Sequence, residues 1–252
     1  MLSKNINFQN FKKIKKVKKV YEIFENLLKD QPSFFETLKP TYKYSYSKRA
    51  LSKYKKFLNI RIIGMGGSVL GSEAIHDFLK KKIKKKLTFV NNLNNNDDYL
   101  QDKNINLNLI ISKSGNTLET VANSNTLIKK KDSNIIITEN KESYLTNLAS
   151  QLKAEIFEHK NYVGGRYSVL SEVGMLPAEL MNLNENKFKQ FNNLIKNKIF
   201  VNNLINNVMA TLNFINNGKF ASVILNYDEQ SESLFKWYQQ LIAESLGKKS
   251  KG

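Results

Sequence analysis

Leu58-Asn59-Ile60-Arg61-Ile62-Ile63-Gly64-Met65-Gly66-Gly67-Ser68 is a short apolar run closed by a glycine-rich turn. Its length and its β-branched isoleucines suit a buried strand. The stretch behind it, Val69–Lys82, has helical spacing. The same alternation recurs down the chain: Leu87–Val90; Asn108–Ser112, then Thr117–Lys130; Asn134–Thr138, then Glu142–Leu152; Glu155–Glu158. Short buried strands separated by helices predict an α/β fold, a parallel sheet with helices on both faces. Ligands of such sheets bind where loops leave the carboxyl ends of strands. The turn at Gly64–Ser68 is one of those places.

On the amino-terminal side, Phe11, Ile14, Val17, Tyr21, Phe24 and Leu28 recur at three- and four-residue steps between lysines. This predicts an amphipathic helix over Phe8–Lys29 whose apolar stripe packs on the domain behind it. Pro32 and Pro40 punctuate the connection, and a short helix is expected over Ser47–Phe57. Beyond Pro177, Lys187–Ile205 and Val208–Asn216 have helical periodicity, Phe220–Leu225 reads as a buried strand, and a helix is expected from about Ser231 to Ser245. The division expected is a helical extension over residues 1–57, a complete α/β domain over 58–182, and a helical connection with an incomplete second domain over 183–252.

A chain of 252 residues with 41% hydrophobic residues can bury a sizeable core. No apolar run approaches the roughly 20 residues that span a bilayer. Met1–Asn10 is polar and lysines follow, so no secretory leader is read there, and cytoplasm is the expected compartment. With 0 cysteines, disulfides, thiolate metal sites and cysteine nucleophiles are excluded. The net charge of +18 invites a nucleic-acid or membrane-surface reading. Lys80, Lys81, Lys82, Lys84, Lys85 and Lys86 form one cluster and Lys12 to Lys19 another, but neither is interleaved with stacking aromatics. Solvated lysine faces account for them, so neither nucleic acid nor membrane is expected as a partner.

Three loops occupy the positions the sheet rule indicates. In Gly64–Ser68 the glycines permit close backbone approach at a helix start. Val69 holds the third glycine position of a dinucleotide fingerprint, and no Gly-Lys-Ser/Thr follows at P-loop spacing, so neither nucleotide motif applies. Ser112-Lys113-Ser114-Gly115-Asn116-Thr117 gathers three hydroxyls, a glycine and a helix start, a set of donors that suits a phosphate dianion. The plainer reading is that Thr117 caps its helix and the rest makes a turn. Gly164-Gly165-Arg166-Tyr167-Ser168 presents an arginine that can reach an oxyanion. A fourth element, Gln239-Gln240-Leu241-Ile242-Ala243-Glu244-Ser245-Leu246-Gly247-Lys248, sets Glu244 near a helix C-terminus, where the dipole disfavours the carboxylate and so suits it to proton abstraction.

In this order and spacing the four elements resemble the motifs of the phosphoglucose isomerase family: Gly-x-Gly-Gly-Ser, Ser-Lys-(Ser/Thr)-x-x-Thr-x-Glu-Thr, Gly-Gly-Arg-(Tyr/Phe)-Ser and Gln-Gln-Leu-x-x-Glu-Ser-x-Gly-Lys. Here they stand at Gly64–Ser68, Ser112–Thr120, Gly164–Ser168 and Gln239–Lys248. The resemblance implies the sugar isomerase (SIS) domain, a flavodoxin-like three-layer αβα sandwich occurring twice per chain. It implies interconversion of glucose 6-phosphate and fructose 6-phosphate through an enediol, in glycolysis and gluconeogenesis, with neither metal nor organic cofactor. Ser112, Ser114 and Thr117 would hold the phosphate, with Lys113 supporting their loop, while Gly67 and Ser68 would line the sugar. Arg166 would stabilise the enediolate, and Glu244 would carry the proton between the first two sugar carbons. Family members are usually homodimers.

One departure stands out. Family members open the sugar ring with a histidine, and usually a lysine, beyond the glutamate motif, whereas this chain stops at Gly252. His76 and His159 precede Glu244 and match neither role. Lys249–Gly252 resembles mid-chain family sequence, so a truncated chain is expected. The rival readings are a non-catalytic sugar-phosphate sensor, which has no need of Arg166 and Glu244 together, and a basic scaffold binding nucleic acid or membrane.

Overall fold

The computed structural model describes residues 18–93, 107–129, 131–219 and 221–247. A helix α1 (Lys18–Asp30) leads through a 3-10 turn (Ser33–Leu38) to a short helix α2 (Lys48–Ser52). Strand β1 (Asn59–Gly64) follows, then α3 (Leu70–Leu79), β2 (Lys86–Val90), β3 (Leu107–Ile111), α4 (Leu118–Leu127), β4 (Ser133–Thr138), α5 (Tyr144–Leu152) and β5 (Glu155–Glu158). The chain continues through a 3-10 turn (Gly165–Leu170) into α6 (Glu172–Leu180), α7 (Phe191–Lys196), α8 (Lys198–Asn216) and α9 (Glu232–Leu246). Of the expected first helix, Phe8–Val17 lies outside the described residues.

The five strands are all parallel, in the order β2-β1-β3-β4-β5. Their central members are buried on both faces, and pleating sends alternate residues to opposite sides. Ile60, Ile62, Leu109, Ile111, Ile135 and Ile137 face one layer, which includes Val173, Leu176 and Leu180 of α6. Ile63, Ile110 and Ile136 face the other, against Leu127 of α4 and Leu145 and Ala149 of α5. Helix α3 joins the first layer, Ile75 packing with Met175 and Ala178. This is the predicted three-layer sandwich.

A polar residue crosses the core of each central strand at one level. Arg61, Asn108 and Asn134 are in register across β1, β3 and β4 and are all buried. Arg61 Nη1 donates to Asn108 Oδ1 (3.3 Å) and to the Leu127 carbonyl (2.9 Å), and Asn108 Nδ2 donates to Asn134 Oδ1 (2.9 Å). The arginine inside the apolar run therefore belongs to a hydrogen-bonded ladder, and removing one partner from it would cost about 1–3 kcal/mol.

The strand expected at Phe220–Leu225 is not formed. Phe220 lies outside the described residues, residues 221–228 have no regular structure, and Val223 and Leu225 are 82% and 74% exposed. A strand needs a hydrogen-bonded neighbour, and no described strand runs beside this segment. Helix α6, entirely buried, carries no amphipathic stripe and contains Pro177, which is why periodicity did not reveal it.

Candidate functional site

Strand order reverses between β1 and β3, which makes their carboxyl ends the switch point where a crevice opens in sheets of this kind. Gly64 of β1 and Ile111 of β3 are paired in register there. The glycine turn and the hydroxyl turn therefore leave the sheet side by side.

In the hydroxyl turn, Gly115 has φ +71°, and a Cβ on it would lie 2.2 Å from Ser143 Oγ, so only glycine fits. Thr117 occupies the N-cap position of α4, yet its side chain makes no capping hydrogen bond. Its Oγ1 lies 2.8 Å from the buried Ser112 Oγ, which also accepts from the Gly115 N–H at 3.2 Å. The plain capping reading of Thr117 is thereby corrected. Ser114 is exposed, its Oγ accepting from Asn116 N–H at 3.2 Å. Lys113 turns away to donate to the Asn161 carbonyl at 2.7 Å, with Glu139 at 3.7 Å. Asn116 Oδ1 accepts from the Tyr144 N–H, fixing the turn to the start of α5.

The glycine turn meets the arginine turn. A Cβ on Gly67 would lie 2.3 Å from the Gly165 carbonyl oxygen, and Ser168 Oγ donates to the Gly67 carbonyl at 3.1 Å. Helix α9 completes the group by packing on α3 and reaching both turns. Arg166 Nη1 lies 3.5 Å from Glu244 Oε2, both side chains being part-exposed. Hydrogen bonding to Tyr167, then to Glu244, holds the Arg166 guanidinium still more firmly protonated. The Tyr167 hydroxyl is held below its usual value chiefly by a hydrogen bond with Ser245.

Gln240 went unassigned in the sequence reading. Its Nε2 donates to Glu244 Oε1 at 2.7 Å and lies 2.9 Å from where a Gly66 Cβ would stand. The four-residue spacing to Glu244 on one helix was the available signal. His159 is buried, and burial lowers its pKa; its Nδ1 lies 3.1 Å from the Lys160 carbonyl. His76 Nδ1 lies 2.8 Å from Asp77 Oδ1. A groove of about 920 Å³ between α8, residues 221–226 and α9 is lined by groups such as Phe214, Ile224, Phe235 and Ile242 and by no residue of the three loops. Among the described residues no helix is long and apolar enough to cross a membrane, and no cluster of three or more His, Cys, Asp and Glu side chains is placed to hold a metal ion.

The family model for phosphoglucose isomerase matches residues 33–251. A glucose-6-phosphate isomerase of Methanocaldococcus jannaschii is 35% identical over 221 residues, covering 80% of this chain and 54% of that protein. One from Acholeplasma laidlawii is 33% identical over 229 residues, covering 79% and 53%. The chain spans about half the length of the curated relatives it matches. Among solved structures, a hypothetical protein from Thermus thermophilus superposes with TM-score 0.71 at 22% identity, covering 91% of this chain and 60% of that one. A glucose-6-phosphate isomerase from Chlamydia trachomatis does so with TM-score 0.61 at 22% identity, covering 80% and 44%. At such identities the structural likeness speaks for the fold. The family match rests on the sequence, running unbroken from the turn before α2 past Glu244, and by it this chain belongs to the phosphoglucose isomerase family.

Proposed function

We propose that this chain supplies the phosphate cradle and the proton-transfer pair of an aldose–ketose isomerase acting on glucose 6-phosphate and fructose 6-phosphate. The observation that carries the proposal is the Arg166–Glu244 approach of 3.5 Å beside turns from two adjoining strand ends. A sensor of sugar phosphates would have no use for that pair.

The chemistry follows from the groups available. Ser112, Ser114 and Thr117 hydroxyls and the first-turn N–H groups of α4 donate to the phosphate, and the helix dipole favours its charge. Lys113 braces that turn through the Asn161 carbonyl rather than by reaching into it. Gly67 and Ser68 line the sugar. Glu244 takes the proton from C2 of the open-chain aldose as the C1 carbonyl electrons move to oxygen. The enediolate forms beside Arg166, whose fixed positive charge lowers its energy. With the O2 hydroxyl proton passed to O1, returning the carbon-bound proton from Glu244 to C1 closes the C2 carbonyl and gives the ketose. Gln240 holds one oxygen of Glu244, leaving the other toward Arg166. Ring opening is assigned to neither His76 nor His159.

The wider reading is of a cytoplasmic homodimer, with residues 183–252 leading into a second domain. The exposed, unpaired apolar side chains Val223, Ile224 and Leu225 support a missing structural neighbour there. The phosphate assignment is tested by calorimetric titration with fructose 6-phosphate. Ser114→Ala combined with Thr117→Ala is expected to weaken binding by more than about tenfold. Unchanged affinity would remove the hydroxyl turn from the site.

A further inference from the structure

We infer that Phe34, a residue of the amino-terminal segment, is a positioning residue for the reaction: it stacks on Tyr167, and Tyr167 in turn holds the Arg166 guanidinium at Glu244. The inference rests on the proposed role of Arg166. It adds to that role a residue remote in sequence from all four motifs.

Three observations carry it. The Phe34 and Tyr167 rings are stacked, with centroids 4.3 Å apart and planes inclined by 10°. The Arg166 Cζ lies over the Tyr167 ring, 4.6 Å from its centroid. A parallel ring at that separation fills one face of Tyr167, so the guanidinium takes the other. Arg166 Nε is buried and has no hydrogen-bond partner among the described residues. The guanidinium is thus aimed by the aromatic face on one side and by Glu244 on the other.

Phe34 is itself held firmly. It meets Phe35 edge to face at 5.0 Å, and Phe35 meets Phe191 at 5.4 Å. The buried Lys189 Nζ donates both to the Thr37 carbonyl, in the turn that carries Phe34, and to the Leu170 carbonyl at 2.6 Å, at the end of the arginine turn. One ammonium therefore ties the two turns together. A cation over an aromatic face is attracted by the ring quadrupole, and a second ring behind it prevents the first from tilting away. For a group that must meet charge developing in a transition state, a small displacement costs far more in rate than in ground-state binding.

The test compares Phe34→Ala, Phe34→Leu and Phe34→Tyr by two readouts. In a coupled isomerase assay, Phe34→Ala is expected to lower kcat about tenfold while KM stays within about twofold, and Phe34→Tyr to restore the rate. Separately, the phenylglyoxal labelling rate of Arg166 is measured by peptide mapping against Arg49, an exposed reference on α2. That ratio is expected to rise at least about threefold in Phe34→Ala as the stack loosens, and to return to the wild-type value in Phe34→Tyr. Restoration by Phe34→Leu equal to that by Phe34→Tyr would mean that bulk alone matters and would overturn the proposal. An unchanged labelling ratio in Phe34→Ala would overturn it too. Should the wild-type protein neither isomerise nor bind fructose 6-phosphate, the functional reading fails on its own, while the labelling ratio still decides whether Phe34 governs Arg166.

Discussion

Arg166 Nη1 stands 3.5 Å from Glu244 Oε2, a contact between a loop after the sheet and the last turn of α9. Two elements far apart in sequence are brought to one point by the packing of Gly67 on Gly165 and of α9 on α3. Glu244→Gln keeps the shape and the Gln240 contact but removes the proposed base. We expect kcat to fall about 10³-fold, with fructose 6-phosphate affinity held within about threefold. Arg166→Lys keeps the charge but loses the flat guanidinium, and should lower kcat about 10²-fold. Ordinary turnover in either variant would dissolve the proton-transfer pair.

The Gly67 contact offers a sharper test of how closely the loops must approach. A methyl there would lie 2.3 Å from the Gly165 oxygen, which is backbone and cannot swing aside. Gly67→Ala should separate the glycine turn from the arginine turn and lower kcat about 10²-fold. Gly165→Ala, where a Cβ meets nothing within 4 Å, is the matched control and should fold normally. Equal rates in the two variants would show that the close approach is dispensable.

The ladder Arg61–Asn108–Asn134 predicts a stability effect without a binding effect. Arg61→Leu strands the Asn108 and Leu127 oxygens in the core. Denaturant unfolding should show a loss of about 2–4 kcal/mol. A loss below about 1 kcal/mol would mean that the arginine is replaceable packing.

Lys189 makes stability depend on pH. Burial lowers its pKa from 10.5 to about 8. Between those values the unfolded chain binds a proton that the folded chain does not, so stability must rise with pH across the window. Relative to Lys189→Met, whose neutral side chain does not titrate, the wild-type protein should gain up to about 3 kcal/mol from pH 8 to 10.5. Parallel stability curves for the two proteins over that range would refute the buried-ammonium account.

The sheet was readable in the sequence because parallel strands buried on both faces are written as compact apolar runs. Asn134–Thr138 and Glu155–Glu158 were located to within a residue of β4 and β5. The same logic misled at Phe220–Leu225, where the apolar run is present but its hydrogen-bonding neighbour is not. Helix α6 escaped notice because total burial erases the periodic stripe. At the candidate site, the placing of the hydroxyl turn and the Arg166 turn beside the sheet's carboxyl edge followed from residue type and position. The pairing of Ser112 with Thr117 in place of a helix cap depended on the path of the turn. Phe34 could not be found from sequence at all, since its contact with Tyr167 exists only once two distant turns are clamped by Lys189.

The polar rung through the sheet also acts as a height gauge. With Arg61 locked to Asn108, the strands above that point can advance only in step, and three residues later Gly64 and Ile111 finish level. Sliding β3 by a single position would shift one turn by about 3.3 Å against the other and expose its apolar set to the wrong layer. The width of the crevice mouth is thus metered from the opposite half of the strands, well below anything a ligand would touch.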